Sequence, residues 1–259
     1  MVATLRELRP PRALRWVIRY RWYGFLLILA GVLLGWFMHS QHFIHHWFFW
    51  LLAVVLIVGL VGAGVYSLIV AQHRSRIVGE GAEGEALTAK VLDNMQMDAR
   101  ILHSVQFESG EKTRELDHVL VTHSTLFVIE TKYLRGRIVG AVDDREWTLH
   151  KRARKTRSRY KRGFYNPLKQ VATQIYHLRA HLEKSLDPRW ADECKHIWIQ
   201  GVVVFSHPQG DATSVVNHAH GVVQLENLQD YLRNYRPPSR AGRLSYGLRR
   251  EIGRILAQE

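Results

Sequence analysis

Cysteine is almost absent from this sequence. The chain has 259 residues and a single cysteine, Cys194. A disulfide within the chain needs two cysteines and a zinc site built from cysteines needs several, so the sequence excludes both. A protein without disulfides needs no oxidising compartment, which is compatible with the cytosol.

Several well-known enzyme motifs are absent as well. The sequence has no P-loop, no Gly-rich dinucleotide-binding fingerprint, no Gly-x-Ser-x-Gly turn and no His-Glu-x-x-His helix. Heptad patterns and internal repeats are also missing. The function must therefore be sought in other residues and in the charge pattern.

Charged residues are missing from two long segments, 22–38 and 47–71. A helix that spans roughly 30 Å of hydrocarbon needs about 20 apolar residues, with a lower limit of about 17. The first segment is at this limit and the second exceeds it. The length of the first segment and its lack of a small-x-small cleavage site argue against a cleavable signal peptide. We therefore predict a transmembrane helical hairpin over residues 22–72.

The connector between these segments, residues 39–46, contains no lysine or arginine. Residues 1–21 contain six arginines against the single acid Glu7, and Arg74 and Arg76 follow the second segment. Positively charged flanks remain on the cytoplasmic side of a membrane. This asymmetry predicts an integral protein of the inner (cytoplasmic) membrane, with both termini and everything after residue 72 in the cytoplasm.

Acidic residues are outnumbered in the chain, with 36 Lys and Arg against 23 Asp and Glu and a net charge of +13. Such an excess favours polyanionic partners, either nucleic acid or anionic lipid. The excess is greatest in residues 150–162, where no apolar periodicity is visible, so we predict a mobile loop. The candidate nucleic-acid-binding residues are Lys151, Arg152, Arg154, Lys155, Arg157, Arg159, Lys161 and Arg162. Attraction of this segment to the inner leaflet, worth about 1 kcal/mol per basic residue, is an equal alternative.

Residues 115–132 contain two apolar runs separated by a short polar loop, which predicts a β-hairpin. If Val121 pairs with Leu126, then Asp117 lies opposite Glu130 on the same face of the sheet. Two opposed carboxylates destabilise a hairpin. A divalent cation would reverse this effect, because hard cations bind carboxylate oxygens.

The same register places Glu115 opposite Lys132, on the face that carries the two carboxylates. Lys132 is therefore a candidate for orienting a water or offsetting developing charge. A cross-strand ion pair between Glu115 and Lys132, with Asp117 at a strand end, is the purely structural alternative.

Asp117 followed by a hairpin and Glu130-x-Lys132 resembles the active site of the PD-(D/E)xK nuclease superfamily, and more narrowly the nuclease-related domain, NERD. The resemblance covers roughly residues 79–182. It includes the Gly-Glu-Gly-Ala-Glu-Gly-Glu segment that ends at Glu85, Asp117-His-Val, Ile-Glu130-Thr-Lys132, and Asn-Pro-Leu-Lys-Gln170. These four elements occur in the expected order.

The resemblance implies a Mg²⁺-dependent nuclease, with Mn²⁺ as a substitute metal and DNA in preference to RNA as the substrate. Asp117 and Glu130 would hold the metal, and Lys132 would position the attacking water. Glu85 and Gln170 would support them. The alternative is a catalytically silent membrane scaffold that binds nucleic acid or anionic lipid through the basic segment. The sequence leaves the oligomeric state open.

Periodicity and capping residues predict the remaining elements. A helix is expected to start within residues 79–85, and residues 101–107 read as a strand with Ile101, His103, Val105 and Phe107 on one side. Further strands are expected at 136–142, 146–149, 197–205 and 221–225, and helices at 166–182, 227–235 and 243–257.

These elements predict an α/β fold, and the resemblance implies a restriction-endonuclease-like mixed sheet flanked by helices. The predicted segments are a basic cytoplasmic N-terminus at 1–21, the transmembrane hairpin at 22–72, a NERD-like nuclease domain at 73–236 and a C-terminal amphipathic helix at 237–259.

Overall fold

The computed structural model describes residues 22–33, 36, 47–152, 159–216 and 221–257. The chain divides into two compact units, Met1–Glu80 and Gly81–Glu259. The predicted basic N-terminus at 1–21 lies outside the described residues, as do Arg154, Lys155 and Arg157 of the basic segment.

Six helices and nine strands occur in the described part of the chain. The helices are α1 Trp22–Leu33, α2 Trp47–Asp93, α3 Pro167–Ser185, α4 Ala191–Lys195, α5 Leu228–Asn234 and α6 Tyr246–Ala257. The strands are β1 Arg100–Ser109, β2 Lys112–Val121, β3 Leu126–Lys132, β4 Gly136–Ala141, β5 Glu146–Arg152, β6 Arg159–Tyr165, β7 Ile199–Phe205, β8 Gly210–Val216 and β9 Val222–Gln224.

The first unit contains one helical segment that is long and apolar enough to cross a membrane, Leu51–His73 of α2, among the described residues. This segment has a mean hydropathy of 2.5, and 11% of its most apolar stretch is buried. Most of its side chains are therefore exposed, unlike those of a core helix. The apolar helix α1 is shorter. One of the two predicted spans therefore has the required length and composition, and the second is not confirmed.

Helix α1 packs against α2 at glycines. A Cβ added to Gly24 would lie 2.6 Å from Ser67 Oγ, and one added to Gly64 would lie 2.9 Å from the Gly24 carbonyl. Only glycine permits such a close approach of two helix backbones, which is also a common way of packing helices in membranes. The two segments thus form a packed helical pair.

The predicted helix start at residues 79–85 is wrong, because α2 continues through these residues and ends at Asp93. Gly79 and Gly81 have no heavy atom within 4 Å of an added Cβ, whereas one added to Gly84 would lie 2.7 Å from Tyr133 Cβ. Gly84 thus permits close packing of α2 on the residue that follows β3. The three glycines therefore do not break the helix, and Gly84 alone among them reflects a tertiary contact.

The second unit contains a mixed five-stranded sheet with the order β1-β2-β3-β7-β9. Strands β1, β2 and β3 pair antiparallel, while β7 pairs parallel with both β3 and β9. The predicted register is confirmed by the Val121–Leu126 pair. A mixed sheet flanked by helices agrees with the predicted α/β class.

Apolar clusters cover both faces of this sheet. One cluster joins the sheet to α3, α6 and the buried Trp147 of β5. The other joins it to the end of α2 and to α5 through Leu92 and Leu228. The predicted C-terminal helix is observed as α6, and Leu248 and Ile252 are fully buried. Helix α6 is therefore part of the core of the second unit.

The side-chain alternation predicted for β1 is wrong at Ser104. Ser104 has a φ of 50°, and Leu102 packs against the same cluster as Val105 and Phe107. Ile101 packs against the opposite cluster. The left-handed residue reverses the alternation, which a strict two-residue period cannot show.

A second, four-stranded sheet has the order β6-β5-β4-β8. The predicted hairpin of β4 and β5 lies here and not in the five-stranded sheet. The predicted loop over residues 150–162 is also wrong at both ends, because β5 and β6 pair from Glu146–Tyr165 to Arg152–Arg159. We call residues 146–165 the basic hairpin; within it, residues 153–158 are not described.

Candidate active site

The carboxyl ends of the parallel strands β3 and β7 carry the candidate site. Glu130 and Lys132 lie on β3, and the Ser206 N–H donates to the Lys132 carbonyl at 3.2 Å. Helix α3 covers the same face, because its Gln170 and Gln174 side chains donate to Glu130. The Asn166 side chain caps the start of this helix by accepting from Leu168 N–H at 2.9 Å. Ligands of α/β proteins commonly bind at such strand ends.

Glu130 is 3% exposed and is held by three donors. Its Oε1 accepts from Lys132 Nζ at 2.5 Å and from Gln170 Nε2 at 2.7 Å. Its Oε2 accepts from Gln174 Nε2 at 2.8 Å. A carboxylate this deeply buried requires such partners, since an unpaired buried charge is very costly.

Lys132 and Gln170 are linked directly as well as through Glu130. Lys132 Nζ donates to Gln170 Oε1 at 3.0 Å. The structural alternative of a Glu115–Lys132 ion pair is wrong, because Lys132 pairs with Glu130 and Glu115 forms no ion pair among the described residues. Three of the expected catalytic residues therefore form one hydrogen-bonded group.

Asp117 lies just beyond the end of the β2–β3 ladder. The pairing stops at His118–Ile129, so the predicted Asp117–Glu130 pair does not form as a ladder pair. Asp117 Oδ2 instead accepts from the backbone N–H of Thr131 at 2.7 Å. The Asp117 side chain thus accepts the hydrogen bond that a backbone carbonyl of β2 would accept in a continued ladder. This bond keeps the Asp117 carboxylate close enough to Glu130 for their charges to interact.

The carboxylates at this end of the sheet repel one another. Burial and the charge of Glu130 raise the pKa of Asp117 well above its ordinary value, while the Thr131 N–H opposes this shift. Burial and the charges of Glu115 and Glu130 raise the pKa of Glu85, and Lys132 opposes it. Full ionisation of these neighbouring carboxyls is therefore disfavoured in the fold.

Residues 80–206 match the family model of the nuclease-related domain, NERD. The match contains the Glu130–Lys132–Gln170 group, Asp117 and Glu85, and it ends just after β7. The search of curated proteins and the search of solved structures found no match. The matched residues are called the NERD region below.

The NERD region contains a donor set that fits a small divalent cation. Among the described residues, no group of three or more His, Cys, Asp or Glu side chains is arranged to hold a metal ion. Mg²⁺ needs fewer protein ligands than that, because it keeps several waters and binds through one or two carboxylates. Asp117 and Glu130 would supply these, and a cation would offset the charge of Glu130 that contributes to the raised pKa of Asp117.

The sequence prediction missed a glutamine of the NERD region that contacts the site. Gln174 follows Gln170 by four residues on α3, but the sequence prediction assigns a role to Gln170 alone. The four-residue spacing, which brings two side chains to one face of a helix, was the available signal. The structure brings both amides to Glu130.

Two threonines fix α2 to β3 behind the site. Thr131 Oγ1 donates to Thr88 Oγ1 at 3.2 Å, and Thr88 Oγ1 donates to the Gly84 carbonyl at 3.1 Å. Both threonines are buried. These bonds hold the α2 turn that carries Glu85 against the strand that carries Glu130.

The candidate nucleic-acid-binding residues of the NERD region lie on the basic hairpin. Lys161 and Arg162 are exposed on β6, and Lys151 of β5 is half-buried opposite Tyr160. Arg152 and Arg159 are backbone partners at the end of the β5–β6 ladder. The hairpin is therefore a charged, largely exposed surface, distinct from the buried carboxylates.

The basic end of this hairpin approaches the start of β4. A Cβ added to Gly136 would lie 2.4 Å from the His150 carbonyl, and Gly136 has a φ of 126°. Gly136 follows Lys132 by four residues. Since a chain extends by about 3.5 Å per residue, Gly136 lies within about 14 Å of Lys132.

Proposed function

We propose that this protein is a membrane-anchored nuclease that hydrolyses nucleic-acid phosphodiester bonds with the help of Mg²⁺. The observation that carries the proposal is the hydrogen-bonded group of Glu130, Lys132 and Gln170, with the Asp117 carboxylate beside it. The match of residues 80–206 to the nuclease-related domain supports it.

Asp117 and Glu130 would hold Mg²⁺, with Mn²⁺ as a substitute. A bound divalent metal ion supplies positive charge for the phosphoryl oxygens and lowers the pKa of a coordinated water. Glu130 enters this role already oriented by its three donors, so little reorganisation is needed. Asp117 has one oxygen fixed by Thr131, and within the described residues no donor contacts its other oxygen.

Lys132 would hold and polarise the attacking water. Its ammonium has three protons, and the structure accounts for two of them, in the bonds to Glu130 and Gln170. The third can be donated to an oxygen of the water or of the phosphate. Gln170 keeps the ammonium in place, and Glu85 adds a further carboxylate at the same edge.

The basic hairpin would bind the nucleic acid on either side of the cleaved bond. Lys151, Lys161 and Arg162 offer cationic groups near the end of the hairpin that approaches Gly136. A duplex carries one negative charge per roughly 1.7 Å of its axis, so phosphates that flank a bond at Lys132 lie within reach. We propose DNA as the substrate in preference to RNA.

The anchor would be the helical pair of α1 and α2, in the inner membrane with both termini in the cytoplasm. The arginine asymmetry and the exposed apolar segment Leu51–His73 support this arrangement. Reporters fused before Met1 and after Glu259 should both report the cytoplasm. A C-terminal reporter on the outer side would overturn the two-span topology.

The nuclease proposal is tested with the full-length chain in detergent. Plasmid, single-stranded DNA and RNA are incubated separately with Mg²⁺, with Mn²⁺ and with a chelator. We expect cleavage with either metal and none in the chelator. The matched control is Tyr176→Phe, because Tyr176 is 71% exposed on α3 and its ring packs against His177; it should cleave like the wild type.

A second candidate is the catalytically silent membrane scaffold. One observation favours it: both oxygens of Glu130 already accept hydrogen bonds from protein donors, as they would in a purely structural network. The same assay separates the two candidates. Salt-sensitive binding of nucleic acid without cleavage under any metal condition would support the scaffold and contradict the nuclease.

A further inference from the structure

Gln174 holds the second oxygen of the buried Glu130 carboxylate. Its Nε2 donates to Glu130 Oε2 at 2.8 Å, while Gln170 and Lys132 both contact Oε1. Within the part of the chain that the structure describes, Gln174 is the one donor to Oε2. The orientation of a proposed metal ligand therefore depends on this side chain.

The direction of the Gln174 amide is fixed by its partner. An ionised carboxylate has no proton to donate, so the NH₂ group must face Glu130 and the carbonyl Oε1 must point away from it. This Oε1 is buried, and no described residue donates to it. Buried acceptors in native proteins are met by a protein donor or by ordered water, and here water is the donor that remains.

Helix α3 presents Gln174 as part of a rigid pair. Gln170 and Gln174 are four residues apart and thus lie on one face of the helix. The helix is capped by Asn166, and Val171 and Leu178 anchor its other side in the core. Side chains on an anchored helix are held more accurately than those on loops. The two amides consequently form a preorganised cradle for one carboxylate.

We propose that Gln174 is a positioning residue for the divalent cation, acting through Glu130. Its Nε2 fixes the second oxygen of Glu130, and its Oε1 accepts a hydrogen bond from a water of the site. This inference rests on the proposed function, because it needs a cation at Asp117 and Glu130. Partners that hold a metal ligand raise metal affinity, and removing one costs roughly 10–100-fold.

Gln174→Met is the direct test, because methionine keeps the length of the side chain and removes both amide groups. The Mg²⁺ affinity of the full-length protein is measured by calorimetry in detergent. We expect the Kd to rise roughly 10-fold or more. The Mg²⁺ concentration for half-maximal cleavage should rise by a similar factor, while KM for the nucleic acid stays unchanged at saturating Mg²⁺.

Two further variants complete the experiment. Gln174→Asn keeps the amide but shortens the side chain by one methylene, so it should also weaken Mg²⁺ binding. This variant replaces Gln174→Met in the test if the methionine variant does not fold. Tyr176→Phe, at an exposed position of the same helix, should keep the wild-type Kd. Melting curves in chelator establish that each protein is folded.

The outcomes separate this inference from the proposed function. A wild-type Kd in the folded Gln174 variants would overturn the role of Gln174 and leave the nuclease proposal intact. An equal loss of affinity in Tyr176→Phe would also overturn it, because the effect would not depend on the amide. A wild-type protein that binds no Mg²⁺ would overturn both.

Discussion

The hydrogen-bonded group of Glu130, Lys132 and Gln170 and the basic hairpin differ in how their charged side chains are placed. At the site, Glu130 is 3% exposed and accepts from three fixed donors. On the hairpin, Lys161 and Arg162 are exposed, and their neighbour Tyr160 is 48% exposed. One region holds few charges in a rigid, buried environment, whereas the other presents many charges to solvent.

The difference follows from what each region would have to do. A reacting group gains from a low local dielectric and from donors that do not move during the reaction. A surface that attracts a polyanion works over several ångströms and tolerates mobile side chains, but salt screens it. Changes at the site should therefore affect turnover, and changes on the hairpin should affect affinity.

The largest effect is expected at Lys132. Lys132→Gln keeps a donor for Glu130 and removes the positive charge, so the fold should survive while cleavage is lost. We expect kcat to fall about 10²–10³-fold, the usual cost of removing one preorganised donor. Nucleic-acid affinity, measured by anisotropy in chelator, should remain within the error of the wild type. A large loss of affinity with normal kcat would contradict the division between the two regions.

The second effect concerns the hairpin. Replacing Lys151, Lys161 and Arg162 with alanine should weaken nucleic-acid binding while kcat at saturation persists. Each lost phosphate contact lowers the salt slope by roughly 0.7 to 0.9, so the triple variant should lose about 2 to 3 in slope. Binding constants are measured between low and moderate salt in the presence of chelator.

The matched control removes the exposed residues Lys112 and Lys184, which lie outside the hairpin. This variant should keep nearly the wild-type slope. An unchanged slope in the hairpin variant, together with lost binding to anionic vesicles, would assign the hairpin to the membrane surface and not to nucleic acid.

Local sequence signals predicted the site elements well. The pairing of Val121 with Leu126 follows from two alternating runs and a four-residue loop, and the structure has this register. Asn166 and Pro167 mark the start of α3, where Asn166 does cap the helix. These features depend on neighbours in the chain, so a pattern can reveal them. The position of Glu130 and Lys132 at the end of β3 was therefore accessible from sequence.

Features that depend on distant contacts were not predicted. The basic hairpin has little apolar alternation, and its strands are held by the buried Trp147 opposite Phe164 and by backbone pairing. Helix α2 continues through its glycines, since Gly84 packs beneath Tyr133. Asp117 sits where the β2–β3 ladder ends, and its side chain accepts from the backbone N–H of Thr131, 14 residues away. None of these contacts leaves a periodic trace in the sequence.

The third effect distinguishes the two carboxylates within the site. Glu130→Gln keeps one oxygen that can accept from Lys132 and Gln170, but it removes the negative charge that pairs with Lys132. Hydrogen bonds to charged groups contribute about 1.5–3 kcal/mol and neutral ones about 0.5–1.5 kcal/mol, so this variant should be less stable in chelator. Asp117→Asn can still accept from Thr131 N–H, so it should be at least as stable as the wild type. Chemical denaturation measures both; equal destabilisation would show that Asp117 is also structural.

The smallest effect is expected in the pH dependence of the stability difference between the wild type and Asp117→Asn. The pKa of Asp117 is raised in the fold, chiefly by burial and then by Glu130, so the folded state favours the protonated carboxyl. Its contribution to stability is full below the ordinary pKa of 3.8 and is lost as pH rises through the raised pKa. In chelator, the wild type should therefore lose stability relative to Asp117→Asn as pH rises above about 4. Asp143→Asn, in the exposed β4–β5 turn, corrects for a general loss of negative charge. A melting-temperature difference that stays constant from pH 4 to neutrality, within that correction, would show that the fold does not raise the pKa of Asp117, and the electrostatic reason for a cation at this site would be lost.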